Sequence, residues 1–227
     1  MGLDMYLERM PRYGDITPSE INAMQAYFSW KRDKENPESS ARKYTFKGWT
    51  GIDYKTLPPK QVRDFYEQHV KFSYAYWDVE QKYSGRYRII EEVGYWRKAN
   101  QIHRWFVDNI QDGIDDCGYY EVTKADLKDL LETCKTVLEN CELVDGQIAD
   151  GVTFKNGEAI TNYVEGKYVK DDSVARMLLP TTSGFFFGGT DYDEWYVKDI
   201  KNTIDIITEV LENTDFENEM ICYTSSW

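Results

Sequence analysis

The sequence has 227 residues, 41% hydrophobic and 30% charged, so it can fold around an ordinary core without disulfides or structural metals. Its formal net charge is −13, and a uniformly acidic surface repels phosphate backbones, which argues against a nucleic-acid-binding protein. No stretch approaches the roughly 18 apolar residues of a membrane-spanning helix, and the N-terminus lacks the pattern of a signal peptide. We therefore expect a cytoplasmic protein with no membrane partner and no nucleic-acid partner.

The first half of the chain is predicted to contain one clear strand and three helices. Pro18 directly after Thr17 is typical of a helix start, and a Ser-Gly pair at 84–85 is typical of a helix end. Tyr44 and Phe46 alternate with polar residues, which favours extended structure around them. The predicted elements are a strand at 3–9, a helix at 18–34, a loop at 34–42, a hairpin or irregular strand at 43–54, a helix at 60–82 and a long helix at 89–110.

The second half is predicted to alternate short strands with helices. Thr123 and Asp126 form a capping-box pattern, and so do Thr190 and Asp193. The run Lys155-Asn156-Gly157-Glu158 is a two-residue hairpin signal. The predicted elements are an extended piece at 119–122, a helix at 124–140, a hairpin region at 145–170, a short helix at 171–178, a helix at 191–213 and a strand at 220–223.

These elements predict an α+β fold. We expect a mainly helical core with a small mixed or antiparallel sheet formed by the N- and C-terminal strands and short hairpins. The sequence shows no confident boundary, so we expect a single domain over residues 1–227 with insertions at about 35–60 and 145–170.

One candidate binding segment spans residues 91–106, inside the long predicted helix. At helical spacing Trp96, Asn100 and His103 share one face. Rings, an amide, an imidazole and guanidinium groups within three turns can stack a base and hold a phosphate or carboxylate. The alternative is that Trp96 and His103 are core residues. The candidate ligand-binding residues here are Tyr95, Trp96, Arg97, Asn100, His103 and Arg104.

A second candidate segment spans residues 179–196. Its three successive phenylalanines alternate sides, so at least one faces solvent or a pocket unless both faces are covered. A Gly-Gly-Thr sequence before the next predicted helix exposes amide groups that can hold an anion. The alternative is an ordinary strand–turn–helix unit. The candidate ligand-binding residues here are Thr181, Ser183, Phe185, Phe187, Thr190, Tyr192 and Asp193.

Catalytic and metal-binding signals are weak. The four cysteines include no C-x-x-C pair and only two histidines are present, so we expect free thiols and no metal. His103 could act as a general base and Asp193 with Glu194 as paired carboxylates, but no spacing fixes their geometry. We assign no catalytic residue and no cofactor, and we favour a binding protein over an enzyme.

The two candidate segments also carry a family resemblance. The stretches are MGLDMYL at 1–7, EEVGYWRKANQIHRWFVDN at 91–109, LLPTTSGFFFGGTDYDEWY at 178–196 and SSW at 225–227. In them the chain resembles a widespread family of uncharacterised bacteriophage proteins, whereas residues 10–88 and 145–170 match poorly. The resemblance implies a phage or prophage origin and a location in the infected bacterial host.

Phage origin suggests three functions. The first is a homo-oligomeric counter-defence protein that sequesters a nucleotide-derived host immune signal, of the cyclic dinucleotide or ADP-ribose type, because stacking rings and a few cations suffice for such a sponge. The second is an acidic inhibitor that binds a host defence protein directly. The third is an enzyme that cleaves such a nucleotide. The first requires the two candidate segments to meet and to wall one concave, locally cationic cleft.

Overall fold

The computed structural model describes residues 2–74, 85–155, 158–184 and 186–227, and it has the expected α+β fold. Its helices are α1 (Pro18–Glu35), α2 (Phe46–Thr50), α3 (Lys60–His69), α4 (Asn100–Asn109), α5 (Lys124–Glu139), α6 (Ser173–Leu178) and α7 (Glu194–Asn213). Its strands are β1 (Asp4–Pro11), β2 (Lys71–Tyr74), β3 (Gly85–Arg88), β4 (Glu91–Arg97), β5 (Tyr120–Val122), β6 (Leu143–Lys155), β7 (Glu158–Val169) and β8 (Glu219–Ser226). Short 3₁₀ turns occupy Ser40–Lys43 and Tyr54–Thr56.

The largest sheet of the described residues is antiparallel and has four strands in the order β4-β1-β8-β5. The N- and C-terminal strands are therefore neighbours at its centre, which confirms the expected small sheet of terminal strands. Strands β2 and β3 form a separate two-stranded antiparallel sheet, and β6 and β7 form an antiparallel hairpin.

The chain divides into two compact units. One comprises Met1–Leu7, Val93–Thr214 and Tyr223–Trp227, and the other comprises Glu8–Glu92 and Asp215–Cys222. We call them the first and the second unit. The expectation of a single domain with two insertions stays a prediction.

In the first unit, α4 and α7 pack on the strands. Phe106 of α4 stacks on Tyr223 of β8, with ring centroids 3.9 Å apart and planes at 11°. Trp96 of β4 donates from Nε1 to Oγ1 of Thr203 in α7, at 2.9 Å. A Cβ at Gly94 would lie 2.6 Å from Cγ2 of Ile206, so only glycine lets α7 lie this close to β4. Helix α5 follows the 3.6-residue period, with its buried face formed by Leu127, Leu130, Leu131, Cys134 and Val137.

In the second unit, α1 organises an aromatic core. Thr17 and Glu20 form a reciprocal capping box at its start. Phe46 of α2 is fully buried, and its ring contacts those of Tyr27 and Trp30 on α1. These contacts fix the short helix α2 on the longer one.

Most predicted elements are confirmed, with ends shifted by a few residues. The hairpin signal at 155–158 is confirmed by the pairing of Lys155 with Glu158, although residues 156 and 157 lie outside the described part.

Three of the predicted secondary-structure elements were wrong. The helix expected at 60–82 ends at His69, where β2 follows, and its remainder from residue 75 lies outside the described residues. The helix expected at 89–110 is a strand followed by a helix. Burial over Val93–Arg97 largely alternates, as in a strand, and the amide of Lys98 donates to the carbonyl of Leu3 beside β1. Residues 43–54 form helical turns rather than a hairpin, because the side chains of Thr45 and Asp53 cap amides two or three positions later.

Candidate functional site

The side chain of Asn100 joins the two candidate segments. Its Nδ2 donates to the carbonyls of Phe187, at 3.2 Å, and Gly189, at 2.8 Å. Its Oδ1 accepts from the amide of Thr182, at 2.9 Å. Asn100 is only 1% exposed, so this amide uses both donors and its acceptor inside the protein. The segments thus meet in space, as the binding hypothesis requires.

Local sequence explains how Asn100 reaches the loop. Lys98 adopts a left-handed backbone (φ 61°), which ends β4 and turns the chain into α4. Gly188 also has a positive φ of 96°, and a Cβ there would lie 3.1 Å from Cβ of Lys98. The positive φ favours glycine at this crossing, and any larger residue would also have to displace Lys98 by a few tenths of an ångström.

A cavity of about 690 Å³ lies beside this anchor, and we call it the Arg97 cleft. Its wall from β4 and α4 consists of Arg97, Lys98, Asn100 and Gln101. Its wall from the hairpin consists of residues 149–152 and Thr161. The remaining wall consists of Thr181, Gly188, Gly189, Thr190, Asp191, Asp193, Trp195, Tyr196 and Asp199. Five predicted residues therefore line it: Arg97, Asn100, Thr181, Thr190 and Asp193.

The charge of the Arg97 cleft is mixed rather than cationic. Arg97 and Lys98 are exposed cations, and they face a lining with four carboxylates: Asp150, Asp191, Asp193 and Asp199. Burial raises the pKa of Asp199 to about 6, against the lowering effect of a hydrogen bond from Gln101. Burial also raises the pKa of Asp193. The cleft thus offers both cations for an anionic group and acceptors for hydroxyl or amino groups.

Three of the predicted residues line neither the Arg97 cleft nor the second cavity described below, and a fourth lies outside the described residues. Trp96 is 2% exposed and belongs to the core, as the alternative interpretation held. Tyr95 donates to Asp4 and packs beside Tyr6. Tyr192 is buried, and its hydroxyl accepts from the amide of Thr181, so it supports the loop. The fourth residue is Phe185.

The exposed ring of the Arg97 cleft is Trp195, which the sequence interpretation missed. It is 57% exposed, with Nζ of Lys198 5.1 Å from its ring centre. A signal was present in the spacing of α7. The buried stripe of that helix is Tyr196, Val197, Ile200, Thr203, Ile207 and Val210, and position 195 falls off it.

The start of α7 is capped by Asp193 itself. Its Oδ1 accepts from the amides of Trp195, at 2.9 Å, and Tyr196, at 3.1 Å. The predicted capping box of Thr190 with Asp193 was therefore wrong. A bridge to Tyr168 holds residue 193 extended, so the helix begins three residues later than expected. The carboxylate of Asp193 thus takes up the N-terminal amides of α7, and the Gly-Gly-Thr stretch at 188–190, which we expected to present amides to an anion, lies before the helix.

The remaining predicted residues line a second cavity of about 550 Å³, which we call the His103 cleft. His103, Arg104, Ser183 and Phe187 contribute to it, together with Asp115 and Trp227. Nε2 of His103 donates to Asp115 at 3.0 Å, and Nδ1 meets the hydroxyl of Tyr223 at 2.7 Å. Both ring nitrogens have partners, and the hydroxyl that meets Nδ1 belongs to Tyr223, which is fully buried, so in this arrangement the ring presents no free nitrogen to a substrate.

Within the described residues, no three or more His, Cys, Asp and Glu side chains are grouped to hold a metal ion. Among the helices of those same ranges, none is both long and apolar enough to traverse a bilayer. Comparisons of the chain with protein-family models, curated proteins and solved structures found no match.

Proposed function

We propose that this chain binds and sequesters a nucleotide-type small molecule in the Arg97 cleft. In the setting that the family resemblance implies, it is a bacteriophage counter-defence protein that removes a cyclic dinucleotide or ADP-ribose type immune signal from the host cytoplasm. The observation that carries the proposal is the Asn100 anchor, because it brings the two segments of the resemblance to one concave site.

The lining of the cleft suits such a ligand. Its volume of about 690 Å³ lies within the range of small-molecule sites. Neither Arg97 nor Lys98 forms an ion pair within the described residues, so both can bind a phosphate. The exposed face of Trp195 can stack a base, and Asp191 can accept from ribose hydroxyls.

Sequestration is favoured over cleavage by the surroundings of His103. One nitrogen binds Asp115 and the other binds the hydroxyl of the fully buried Tyr223, so the residue with the best side chain for general base chemistry presents no free nitrogen to the cleft. A sponge needs complementarity and slow release rather than a catalytic group.

Calorimetric titration with cyclic dinucleotides, ADP-ribose and cyclic ADP-ribose tests the proposal. At least one is expected to bind and to leave intact on heating, as mass spectrometry would show. Arg97→Gln with Lys98→Gln, and separately Trp195→Ala, should each weaken binding about tenfold or more. Lys128→Gln, an exposed lysine on α5, is the control.

Other outcomes would contradict the proposal. A cleaved product would show that the protein is an enzyme. If none of the compounds binds, the sequestration proposal is wrong. Loss of binding in Arg104→Gln, with full binding in the Arg97 and Lys98 variant, would move the ligand to the His103 cleft.

Direct inhibition of a host defence protein is the second candidate, and the hairpin β6–β7 favours it. The hairpin exposes Phe154 (78%) and Tyr163 (62%), and large exposed apolar side chains mark interaction surfaces. The same surface can serve a homo-oligomer, which we also propose. Light scattering on Phe154→Asp distinguishes the two roles. A fall of the mass to that of a monomer supports the oligomer. An unchanged mass, together with loss of the protein's protection of the phage, supports the inhibitor.

A further inference from the structure

Residues 40–60, in the second unit, carry charge opposite to that of the whole chain. Five cationic side chains and one carboxylate give this stretch a formal charge of +4, in a chain of −13. All five cations are exposed: Arg42, Lys43, Lys47, Lys55 and Lys60. We call this stretch the basic aromatic surface.

Three large rings are exposed among these cations. Tyr44 is 48% exposed, Trp49 40% and Tyr54 51%. The rings of Tyr44 and Trp49 lie 5.7 Å apart at an interplanar angle of 41°. Each ring lies within two residues of a lysine in the sequence, so ring and cation recur together along the surface.

The scaffold under the surface is closely packed. Phe46 is fully buried against Tyr27 and Trp30, and Thr45 caps α2 by accepting from the amide of Gly48. Gly51 ends α2 in a left-handed conformation (φ 77°). The exposed rings therefore have a fixed base, which lowers the entropy lost when a ligand stacks on them.

Three of the five cations, Lys43, Lys47 and Lys55, are available to a ligand, whereas Lys60 pairs with Asp64 and Arg42 donates to the carbonyl of Pro37. Lys47 meets Asp53 at 3.3 Å, but both side chains are well exposed, and such pairs contribute little to stability. Lys43 and Lys55 form no ion pair within the ranges that the structure describes. A phosphate can thus replace water at these ammonium groups without breaking a buried contact.

We propose that the basic aromatic surface binds single-stranded nucleic acid. Cations that follow the backbone and rings on which bases stack are the two components of such sites. An acidic protein would be held by the cations alone and would not need the rings. The inference is independent of the Arg97 cleft, which belongs to the first unit. It also departs from the expectation of no nucleic-acid partner, because that expectation assumed evenly spread charge.

Fluorescence anisotropy of the full chain with a labelled oligothymidylate of 20 nucleotides tests the inference. Binding is expected at 50 mM salt and should weaken steeply at 200 mM, with a log–log slope of about −0.7 per neutralised phosphate. Lys43→Gln with Lys47→Gln and Lys55→Gln should flatten that slope by roughly two. Tyr44→Ala with Trp49→Ala should weaken binding about tenfold or more.

Matched controls use the same residue types elsewhere. Lys128→Gln with Lys201→Gln, and Tyr168→Ala, all at exposed positions, should leave oligonucleotide binding unchanged. Thermal melting verifies that each variant is folded. If the Tyr44→Ala and Trp49→Ala variant is unfolded, the salt slope of the triple lysine variant tests the inference instead.

Three results would overturn the inference. The first is no binding of the oligonucleotide at 50 mM salt. The second is binding of polyglutamate as tight as that of the oligonucleotide, and unchanged in the Tyr44→Ala and Trp49→Ala variant. The third is binding to phosphatidylglycerol vesicles but not to the oligonucleotide.

Discussion

Replacing Asn100 with alanine tests how the candidate site is built. The substitution removes two donors and one acceptor, which leaves the carbonyls of Phe187 and Gly189 and the amide of Thr182 without their partner. The loop that contains these groups should then detach from the start of α4. Ligand binding in the Arg97 cleft should fall together with stability, because the loop forms one wall of the cleft.

The magnitude follows from burial. A buried polar group that loses its partner costs about 1–3 kcal/mol. The bond to Phe187 is buried and the other two are partly buried, so water can solvate the latter in part. We expect a total loss of about 2–4 kcal/mol in the free energy of unfolding. In a chain of this length that corresponds to a fall in Tm of roughly 5–15 °C.

Urea denaturation measures the stability, and hydrogen exchange over residues 181–189 locates the change. Asn109→Ala is the control, because that asparagine lies on the same helix but is exposed and donates to the carbonyl of Trp105 within its own helix. Its stability should change by less than about 0.5 kcal/mol. If Asn100→Ala matches this control and exchange in the loop is unaffected, Asn100 does not hold the site together.

Three further predictions concern the core and its protonation. Gly94→Ala should cost about 1–3 kcal/mol in a denaturation curve, because its Cβ meets Ile206, and an unchanged curve would contradict the close packing of β4 and α7. Trp96→Phe should lower Tm by several degrees without weakening ligand binding, since the indole is core and donates to Thr203, whereas loss of binding at unchanged Tm would place Trp96 in the site. The pKa of Asp199 is raised to about 6 in the folded protein, so its contribution to stability falls as pH rises from about 4 to 6 and is constant above that. Asp199→Asn should therefore be more stable than the wild type at pH 7 by about 1–3 kcal/mol, with the difference vanishing near pH 4. An equal effect of Asp199→Asn at every pH would contradict this.

Elements with local signals were predictable from the sequence. The capping box of Thr17 and Glu20, that of Thr123 and Asp126, and the apolar spacing of α5 each depend on residues close in the chain. Strand β4 was missed because only seven residues carry its two-residue period. The helical pattern of α4 follows almost at once. The break between them is at Lys98, whose left-handed backbone conformation is not indicated by its residue type.

The candidate site was only partly predictable, for a related reason. The cationic and polar lining could be proposed from residue types such as Arg97 and Thr190. The role of Asn100 depends on backbone groups more than 80 positions away, which one sequence does not display. Trp96 was assigned to the pocket and Trp195 was missed because an aromatic ring suits a core and a pocket equally well, and the sequence does not give the burial of either side chain.

A difference electron-density map, from crystals grown with the nucleotide that binds in solution, shows where the ligand lies. We expect one ligand per chain in the Arg97 cleft. Its phosphate should lie within hydrogen-bond distance of Arg97 or Lys98, and its base should stack on the ring of Trp195. Density in the His103 cleft, or a cleft that stays empty while the nucleotide binds elsewhere, would contradict this expectation.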